Sequence, residues 1–321
     1  MIIMSTRYVL PTTSKLIFAP IGDIHHNAPG FDRDRFVDSI QWLRETSEKT
    51  NRKVIVPLMG DELELLSGSE RRSYRASGLH GSTRAWMEQR MMEDLLKLYA
   101  DLIPIKHLIP HVIAGNHNFT FQESSVKTSQ RYVGKSVSQV LAEMIGVPCL
   151  GICGVHVLEL TQSERSTALF PFKIFMHHGF GVASSKAASI RQLIALKEKF
   201  PMCNLYIMGH NHVKIGTTTE GIDFRKNSRS GAWEMCDVVQ GFVRSASFLK
   251  GYVEGEYVDD DTGSYVEQKC LVPAGLGIVT ANLRWKQKRD RHGDLRYTGF
   301  QLHTQELSLI HISEPTRQAE I

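Results

Sequence analysis

Residues 16–26 read LIFAPIGDIHH, an apolar run that ends in one carboxylate and two imidazoles. The run 16–21 is short and rich in Leu, Ile and Phe, which is typical of a buried strand. A Gly-Asp pair after a strand is also ordinary turn chemistry, because glycine supplies backbone freedom and Asp closes the turn. Taken alone, the segment indicates a strand followed by a turn.

Four more segments repeat this pattern along the chain. Strands are predicted at 53–59, 108–114, 172–176 and 205–208, and they lead into GDELE (60–64), GNHN (115–118), HHG (177–179) and GHNH (209–212). In open α/β sheets, ligands bind just beyond the carboxyl ends of the strands, so these clusters are expected to converge on one site. Five such clusters in series are hard to explain as turns alone.

Helical periodicity separates the strands. Apolar residues spaced three and four apart predict helices over 87–102, 137–145 and 185–200. This alternation of strands and helices predicts an α/β fold with a mostly parallel sheet. From about 213 the helical periodicity fades, so residues 213–306 are expected to form a β-rich part of a single domain over 1–306.

Composition limits the class of protein. Of 321 residues, 42% are hydrophobic and 22% are charged, with a net charge of +4, which excludes wholesale disorder, collagen and coiled coil. That charge is too small to indicate nucleic acid or membrane as a partner. Five cysteines without a zinc-knuckle spacing indicate reduced thiols, and no apolar stretch has the length of a signal peptide or a membrane span. We therefore expect a soluble, cytoplasmic protein of undetermined oligomeric state.

The last stretch, LSLIHISEPTRQAEI (307–321), resembles the conceptual translation of a sequencing adaptor. We expect it to be an artefact rather than part of a natural gene. The alternative is a genuine terminal strand with a polar tail.

The donor types in the five clusters indicate metal chemistry. Carboxylate, imidazole and carboxamide ligands without thiolate suit borderline-to-hard divalent ions, and the donors are too many for one ion. Two metals roughly 3.5–4 Å apart clamp the attacking and leaving oxygens of a displacement at phosphorus. They also lower the pKa of a bridging water, so that hydroxide is available as the nucleophile near neutral pH.

The ordered motifs between residues 22 and 212 resemble those of the calcineurin-like metallophosphoesterases: GDxH, GDxx[DE], GNH[DE], a lone His after a strand, and GHxH. The resemblance implies an α/β-β/β-α sandwich of two packed mixed sheets flanked by helices. It also implies hydrolysis of phosphate esters with two divalent metal ions, Mn²⁺ expected first and Fe, Zn or Ni as alternatives.

The resemblance also implies residue roles. The metal ligands would be Asp23, His25, Asp61, Asn116, His177, His210 and His212. Of these, Asp61 would bridge the two metals. His117 would be the catalytic histidine, which protonates the leaving oxygen, and Glu64 would orient it and raise its pKa. The alternative for Glu64 is an N-cap or a surface carboxylate.

Three departures from the family pattern qualify these roles. The HHG motif offers two histidines, and since a strand alternates faces only one is expected to point at the metals. We favour His177, with His178 as the alternative. Asn118 stands where the family has an acid, and no Asp-Arg-Gly run follows GDELE, which disfavours the protein Ser/Thr phosphatase branch.

Two basic segments are candidates for substrate contacts. Arg71 and Arg75 follow the bridging Asp closely and are expected to reach a phosphate, with a solvated loop as the alternative. Six basic residues interleaved with two aromatic ones occupy a predicted hairpin: Arg284, Trp285, Lys286, Lys288, Arg289, Arg291, Arg296 and Tyr297. They suit a nucleic-acid backbone, although exposed edge strands carry Lys and Arg merely against aggregation.

The sequence therefore predicts a binuclear phosphate-ester hydrolase, leaning to a phosphodiesterase or nuclease. The alternative is a phosphomonoesterase acting on a nucleotide or another small phosphate. A catalytically silent scaffold is disfavoured, because a scaffold has no need to keep His117 and every metal position. A DNA-binding module with a structural metal is weakened by the lack of Cys-rich spacing.

Overall fold

Two mixed β-sheets form the centre of the protein. The computed structural model describes residues 1–49, 51–65, 80–121, 130–167, 169–181, 185–226, 231–252, 265–268, 270, 273, 275–289 and 295–307. One sheet has six strands, in the order β1 (Ile2–Val9), β4 (Cys153–Thr161), β5 (Phe170–His177), β6 (Leu205–Met208), β8 (Trp233–Ser245) and β7 (Lys214–Lys226). The other has four, in the order β10 (Leu295–Leu307), β9 (Ile278–Arg289), β2 (Lys15–Phe18) and β3 (Arg52–Ile55).

The two sheets pack face to face. Alternate residues of β5, Phe172, Ile174 and Met176, lie in the apolar layer between them. From the other sheet, Phe18 stacks on Phe172 with ring centroids 5.8 Å apart. Burial of each such side chain contributes roughly 1.5–3 kcal/mol to stability, so this layer holds the sheets in register.

Helices cover the outer faces. They are α1 (Arg33–Ser47), α2 (Gly81–Leu102), α3 (Val137–Ile145), α4 (Lys186–Lys199) and the short α5 (Tyr265–Gln268). The first three pack against the four-stranded sheet, where Phe36, Leu95 and Leu141 share a cluster with Ile17. On the other side, Leu193 of α4 packs against the six-stranded sheet. The layers are therefore helix, sheet, sheet, helix, and the predicted fold class is confirmed.

The helix predicted over 137–145 is present with the same bounds. The Ser136 hydroxyl accepts from the Gln139 amide and the Gln139 side chain accepts from the Ser136 amide, a capping box that fixes the first turn. Gly146 ends the helix at a φ of 85°, in the left-handed region that glycine favours.

The strand predicted at 108–114 is reduced to a single bridge position. Val112 lies between Leu58 and Cys149, and it continues the four-stranded sheet by isolated bridges only. Pro110 and Pro148 lack the amide hydrogens that a longer ladder would need, which limits the pairing. The segment still runs directly into the GNHN motif.

The β-rich part predicted from about residue 213 is divided between the two sheets. Strands β7 and β8 pair with each other and extend the six-stranded sheet through a parallel pairing of β8 with β6. Strands β9 and β10 form the second hairpin, and β9 joins the other sheet beside β2. Residues 308–321 of the suspected tail lie outside the described residues. Among those described, no helix combines the length and apolarity that a membrane crossing requires.

Candidate metal centre

The five polar clusters meet at one edge of the two sheets. Strands β5, β6 and β8 run parallel to one another, as do β2 and β3, so their carboxyl ends reach common edges. Three groups form there, each with its ligand atoms within 4.8 Å of one another. They are Asp23, His25 and His212; Asp61, His178 and His210; and His25, Glu64 and His117, which shares His25 with the first.

The first group presents two imidazoles and a carboxylate to one point. Nε2 of His25 lies 3.2 Å from Nε2 of His212, which lies 3.7 Å from Oδ1 of Asp23. Asp23 and His25 are buried. Facing imidazole nitrogens beside a carboxylate form a donor set that suits Zn, Mn, Fe or Ni.

The second group is arranged around an amide oxygen. Oδ1 of Asn116 lies 2.7 Å from Nε2 of His178 and 2.6 Å from Nδ1 of His210. Nε2 of His178 is also 3.1 Å from Oδ2 of Asp61. Because the Met59 carbonyl, 2.8 Å from Nδ1 of His178, can only accept, we assign the hydrogen to Nδ1. In the neutral ring, Nε2 then offers its lone pair to this group.

The structure corrects the choice between the two adjacent histidines. The inward residues of β5 are Phe172, Ile174 and Met176, and the alternation carries His178 to the same side. His177 points the other way, its Nδ1 accepting from the Gly179 amide at 2.8 Å. His178 therefore replaces His177 in the candidate ligand set. Phe175, on the same face as His177, is also apolar and buried, so the sequence alone does not show which face of the strand points to the site.

The motifs also hold one another through backbone amides. Both carboxylate oxygens of Asp23 accept from the His210 amide, at 2.9 and 2.8 Å. Oδ1 of Asp61 accepts from the His117 amide at 2.8 Å. Gly115 makes this approach feasible, because a Cβ there would lie 2.0 Å from Oδ1 of Asp61.

Five of the candidate ligands have a left-handed backbone. Their φ angles are 49° at Asp23, 48° at His25, 51° at Asp61, 75° at His210 and 50° at His212. Among the described residues, only two other non-glycine positions have positive φ, Ala246 and Cys270. Such conformations cost on the order of 1–3 kcal/mol each and cluster at functional sites. The strain is concentrated where the side chains converge.

Glu64 joins two of the histidines. Its Oε1 lies 2.7 Å from Nδ1 of His117, and its Oε2 lies 2.5 Å from Nδ1 of His25. Asn27 fixes the Glu64 backbone, accepting from its amide at 2.6 Å and donating to its carbonyl at 3.1 Å. The predicted contact between Glu64 and His117 is present.

The contact between Glu64 and His117 shifts the pKa of both side chains. Burial alone would lower the pKa of His117, but the Glu64 hydrogen bond and the charges of Glu64 and Asp61 raise it to about 9. For Glu64, burial opposes ionisation, and the hydrogen bonds from His117 and His25 nevertheless lower the pKa to about 2. At neutral pH, His117 is therefore a cation held by a carboxylate.

The remaining donors divide by charge. Burial lowers the pKa of His210 to about 4 and that of His212 to about 3, helped by neighbouring histidines, so both rings are neutral. The charge of Asp61 overcomes burial at His178 and raises its pKa to about 9. Burial raises the pKa of Asp23 to about 6, against the charge of His178. Because metals bind neutral imidazoles and carboxylates, a cation held by His178 would displace the proton from its Nε2.

One further segment at the site, residues 244–248 at the carboxyl end of β8, was not identified from the sequence. The Ser247 hydroxyl donates to the Asp23 carbonyl at 2.8 Å, and the Phe248 amide lies 3.1 Å from the same oxygen. Ala246, directly before Ser247, has a φ of 68°. The segment carries no carboxylate or imidazole, which is why a search for ligand types passes over it.

Two sets of residues are predicted from the sequence to contact substrate. Of these, Arg71 and Arg75 lie outside the described residues. Trp285 is buried rather than presented to a base, since its Nε1 donates to the Leu10 carbonyl at 2.7 Å and its ring contacts Phe170 and Phe300. The prediction that Trp285 belongs to a basic and aromatic surface for nucleic acid is therefore wrong.

No protein-family model matches the chain, and no curated protein matches it. Among solved structures, a predicted phosphoesterase from Streptococcus pneumoniae has a TM-score of 0.30 and 10% identity over 91% of this chain and 99% of its own. GAP50, the anchor in the inner membrane complex of Plasmodium, has a TM-score of 0.35 and 9% identity over 90% of each chain.

A third similar structure is the sulfate thiohydrolase SoxB of Thermus thermophilus, with a TM-score of 0.35 and 10% identity. The match covers 96% of this chain and 59% of that one, so the chain spans about three fifths of the Thermus protein. At these values the likeness carries no information about activity, which rests on the residues of the site itself.

Proposed function

We propose that the chain is a metal-dependent hydrolase of phosphate esters, of the calcineurin-like metallophosphoesterase type, with two divalent cations. One observation carries the proposal: donor side chains from five strand ends face one another in two groups, and five of these residues have strained, left-handed backbones. Strain of this kind persists where the surrounding structure imposes it for a function.

The donors divide between the two cations by position. Asp23, His25 and His212 would hold one cation. Asn116, His178 and His210 would hold the other. Asp61 would bridge them, because its Oδ2 lies 3.1 Å from Nε2 of His178 in one group and its backbone carbonyl accepts from the amide of His25 in the other. The set lacks thiolate and fits Mn, Fe, Zn or Ni.

Two divalent cations supply a water of lowered pKa and neutralise charge on the phosphoryl oxygens. The protein's own contribution is then a proton. His117 is half-buried, and with Nδ1 held by Glu64 its other ring nitrogen, Nε2, is left to meet the substrate. A protonated His117 is suited to donate that proton to the leaving oxygen.

The need for a proton donor favours a phosphodiester with an alkoxide leaving group, such as a nucleic acid or a cyclic nucleotide. An alkoxide leaves poorly unless it is protonated as the bond breaks, and a histidine kept charged by Glu64 meets that need. A phosphomonoester is the competing substrate class.

The test compares bis-p-nitrophenyl phosphate with p-nitrophenyl phosphate, using metal-stripped protein refilled with Mn²⁺. Asp61→Asn is the blank, and Asp237→Asn, an exposed carboxylate paired with Lys286, is the matched control for loss of a charge. Diester turnover that needs Mn²⁺, vanishes in the blank and survives in the control is the expected result. Monoester preference would replace the substrate class, and absence of metal-dependent turnover on either ester would contradict the proposal.

A further inference from the structure

A guanidinium lies buried behind the candidate metal centre. Arg244, the penultimate residue of β8, is 1% exposed. Its Nη1 donates to the Gly209 carbonyl at 2.7 Å, and its Nη2 donates to the Ser189 carbonyl at 3.1 Å and to Oε1 of Gln192 at 2.9 Å. Burying a charged side chain this deeply costs free energy unless the side chain is hydrogen-bonded. The acceptors of Arg244 therefore indicate which parts of the structure it supports.

The acceptors belong to two different elements. Gly209 opens the loop that carries His210 and His212, while Ser189 and Gln192 lie on α4. Arg244 therefore connects the loop to the helix. Gln192 makes a second connection, because its Oε1 also accepts from Nδ2 of Asn211 at 2.8 Å.

The loop needs such support. His210 and His212 have φ angles of 75° and 50°, a conformation that relaxes unless neighbouring groups hold it. Arg244 holds the carbonyl just before His210, and Gln192 holds the side chain between the two histidines. The two contacts restrain the backbone on both sides of His210.

We infer that Arg244, acting with Gln192, is a positioning residue that aims His210 and His212 at the metals. The inference rests on the proposed function, since it gives those histidines cations to bind. Arg244 contacts neither metal nor substrate, and its effect passes through the loop backbone. Lysine cannot replace it, because one ammonium lacks the planar fork that reaches the loop and the helix together.

Whether removal of Arg244 weakens or strengthens metal binding distinguishes a positioning role from an effect of its charge. A positive charge close to two cations repels them, so if Arg244 acted by charge alone, its removal would strengthen metal binding. Positioning predicts weaker binding after removal. It also predicts that a lysine, which keeps the charge, does not restore binding.

The experiment is a Co²⁺ titration of metal-free protein, followed by the visible absorption bands of the bound ion, which report its geometry without any turnover. The variants are Arg244→Lys, Arg244→Met, Gln192→Ala and Gln192→Glu. Gln240→Ala is the matched control, because Gln240 is a buried residue of the same strand whose amide donates to the Pro201 and Cys203 carbonyls, at the other end of β6. Circular dichroism checks folding.

We expect Arg244→Lys, Arg244→Met and Gln192→Ala to lose about 10–100-fold in Co²⁺ affinity and to alter the bands. Gln240→Ala should match wild type, and Gln192→Glu, which keeps both acceptor contacts and adds a negative charge, should not weaken binding. If the Arg244 variants fail to fold, Gln192→Ala decides, since alanine favours the helix in which it sits.

Wild-type affinity and bands in folded Gln192→Ala or Arg244→Lys would overturn the inference, as would a gain of affinity in Arg244→Met or an equal loss in Gln240→Ala. A wild-type protein that binds no Co²⁺ would instead overturn the proposed function, and the inference with it.

Discussion

Oε1 of Glu64 lies 2.7 Å from Nδ1 of His117, and this contact links the chemistry of the site to its charge. The carboxylate keeps the imidazole protonated near neutral pH, which a general acid requires. The same Glu64 reaches His25 in the first candidate ligand group, so one side chain connects the proposed proton donor to the candidate metal ligands.

Substitution of His117 by alanine should remove the proton donor and leave the ligands in place. We expect Mn²⁺-dependent turnover to fall about 10²–10⁴-fold, the usual range for general acid–base catalysis, with both metals still bound. Metal content by elemental analysis, measured with the rate, checks this. Loss of a metal from the alanine variant would show that His117 is a ligand.

Glu64→Gln should shift the dependence of the rate on pH. The acid form of His117 is lost as the pH rises through its pKa, and Glu64 is the group that raises this pKa to about 9. Without the carboxylate the pKa falls, so the alkaline decline in the rate should begin at lower pH. Rates on the diester from pH 6 to 10 measure it, with Asn118→Ala as a neighbouring control. An unchanged alkaline limb would contradict the role of Glu64.

Gly115→Ala should disrupt the centre. The added Cβ would lie 2.0 Å from Oδ1 of Asp61, and the carboxylate must move away. Overpacking of this kind costs typically about 1–3 kcal/mol, and we expect metal affinity to fall as well. Urea unfolding and Mn²⁺ titration measure both. Gly81→Ala is the matched control, since a Cβ at the start of α2 meets nothing within 4 Å.

Acid should destabilise the protein through two buried histidines away from the metals. His111 and His156 are each 1% exposed, with ring centroids 5.2 Å apart. Burial lowers the pKa of His156 to about 4, and burial with the neighbouring His156 lowers that of His111 to about 3. Both rings are neutral in the folded state.

The sign follows from proton uptake. Below about pH 6.5 the two histidines bind protons in the unfolded state but not in the folded state. Each histidine therefore lowers the free energy of unfolding by up to about 1.4 kcal/mol per pH unit as the pH falls. His156→Gln should reduce this slope between pH 6 and 4, and His303→Gln, at an exposed position of β10, should not. Urea unfolding at several pH values measures it, and equal slopes in wild type and His156→Gln would refute it.

Much of the fold could be read from local patterns. Apolar spacing predicts the helix over 137–145 and the strand ends that carry the motifs. The order of the motifs along the chain indicates a site, because turns alone do not explain it. Strands β1 and β4 were not predicted, because in Cys153–Thr161 the buried positions include Gly154 and His156, so the sequence shows no apolar alternation. Alternation also distinguishes His178 from His177, once the inward face of β5 is known.

Other features depend on contacts that no local pattern carries. Trp285 sits among basic residues in the sequence, yet it is buried, because it contacts Phe170 of the other sheet, Phe300 on the neighbouring strand and the Leu10 carbonyl. Arg244 is equally hidden, because two of its three acceptors are backbone carbonyls, which every residue has.

The bond from the His210 amide to Asp23 joins residues 187 positions apart. Such a contact forms only after most of the intervening chain has closed into its sheets, and closing long loops is slow. Assembly of the ligand groups should therefore be among the last events of folding. Until then, a partly folded chain holds the candidate ligands without the geometry that brings them together.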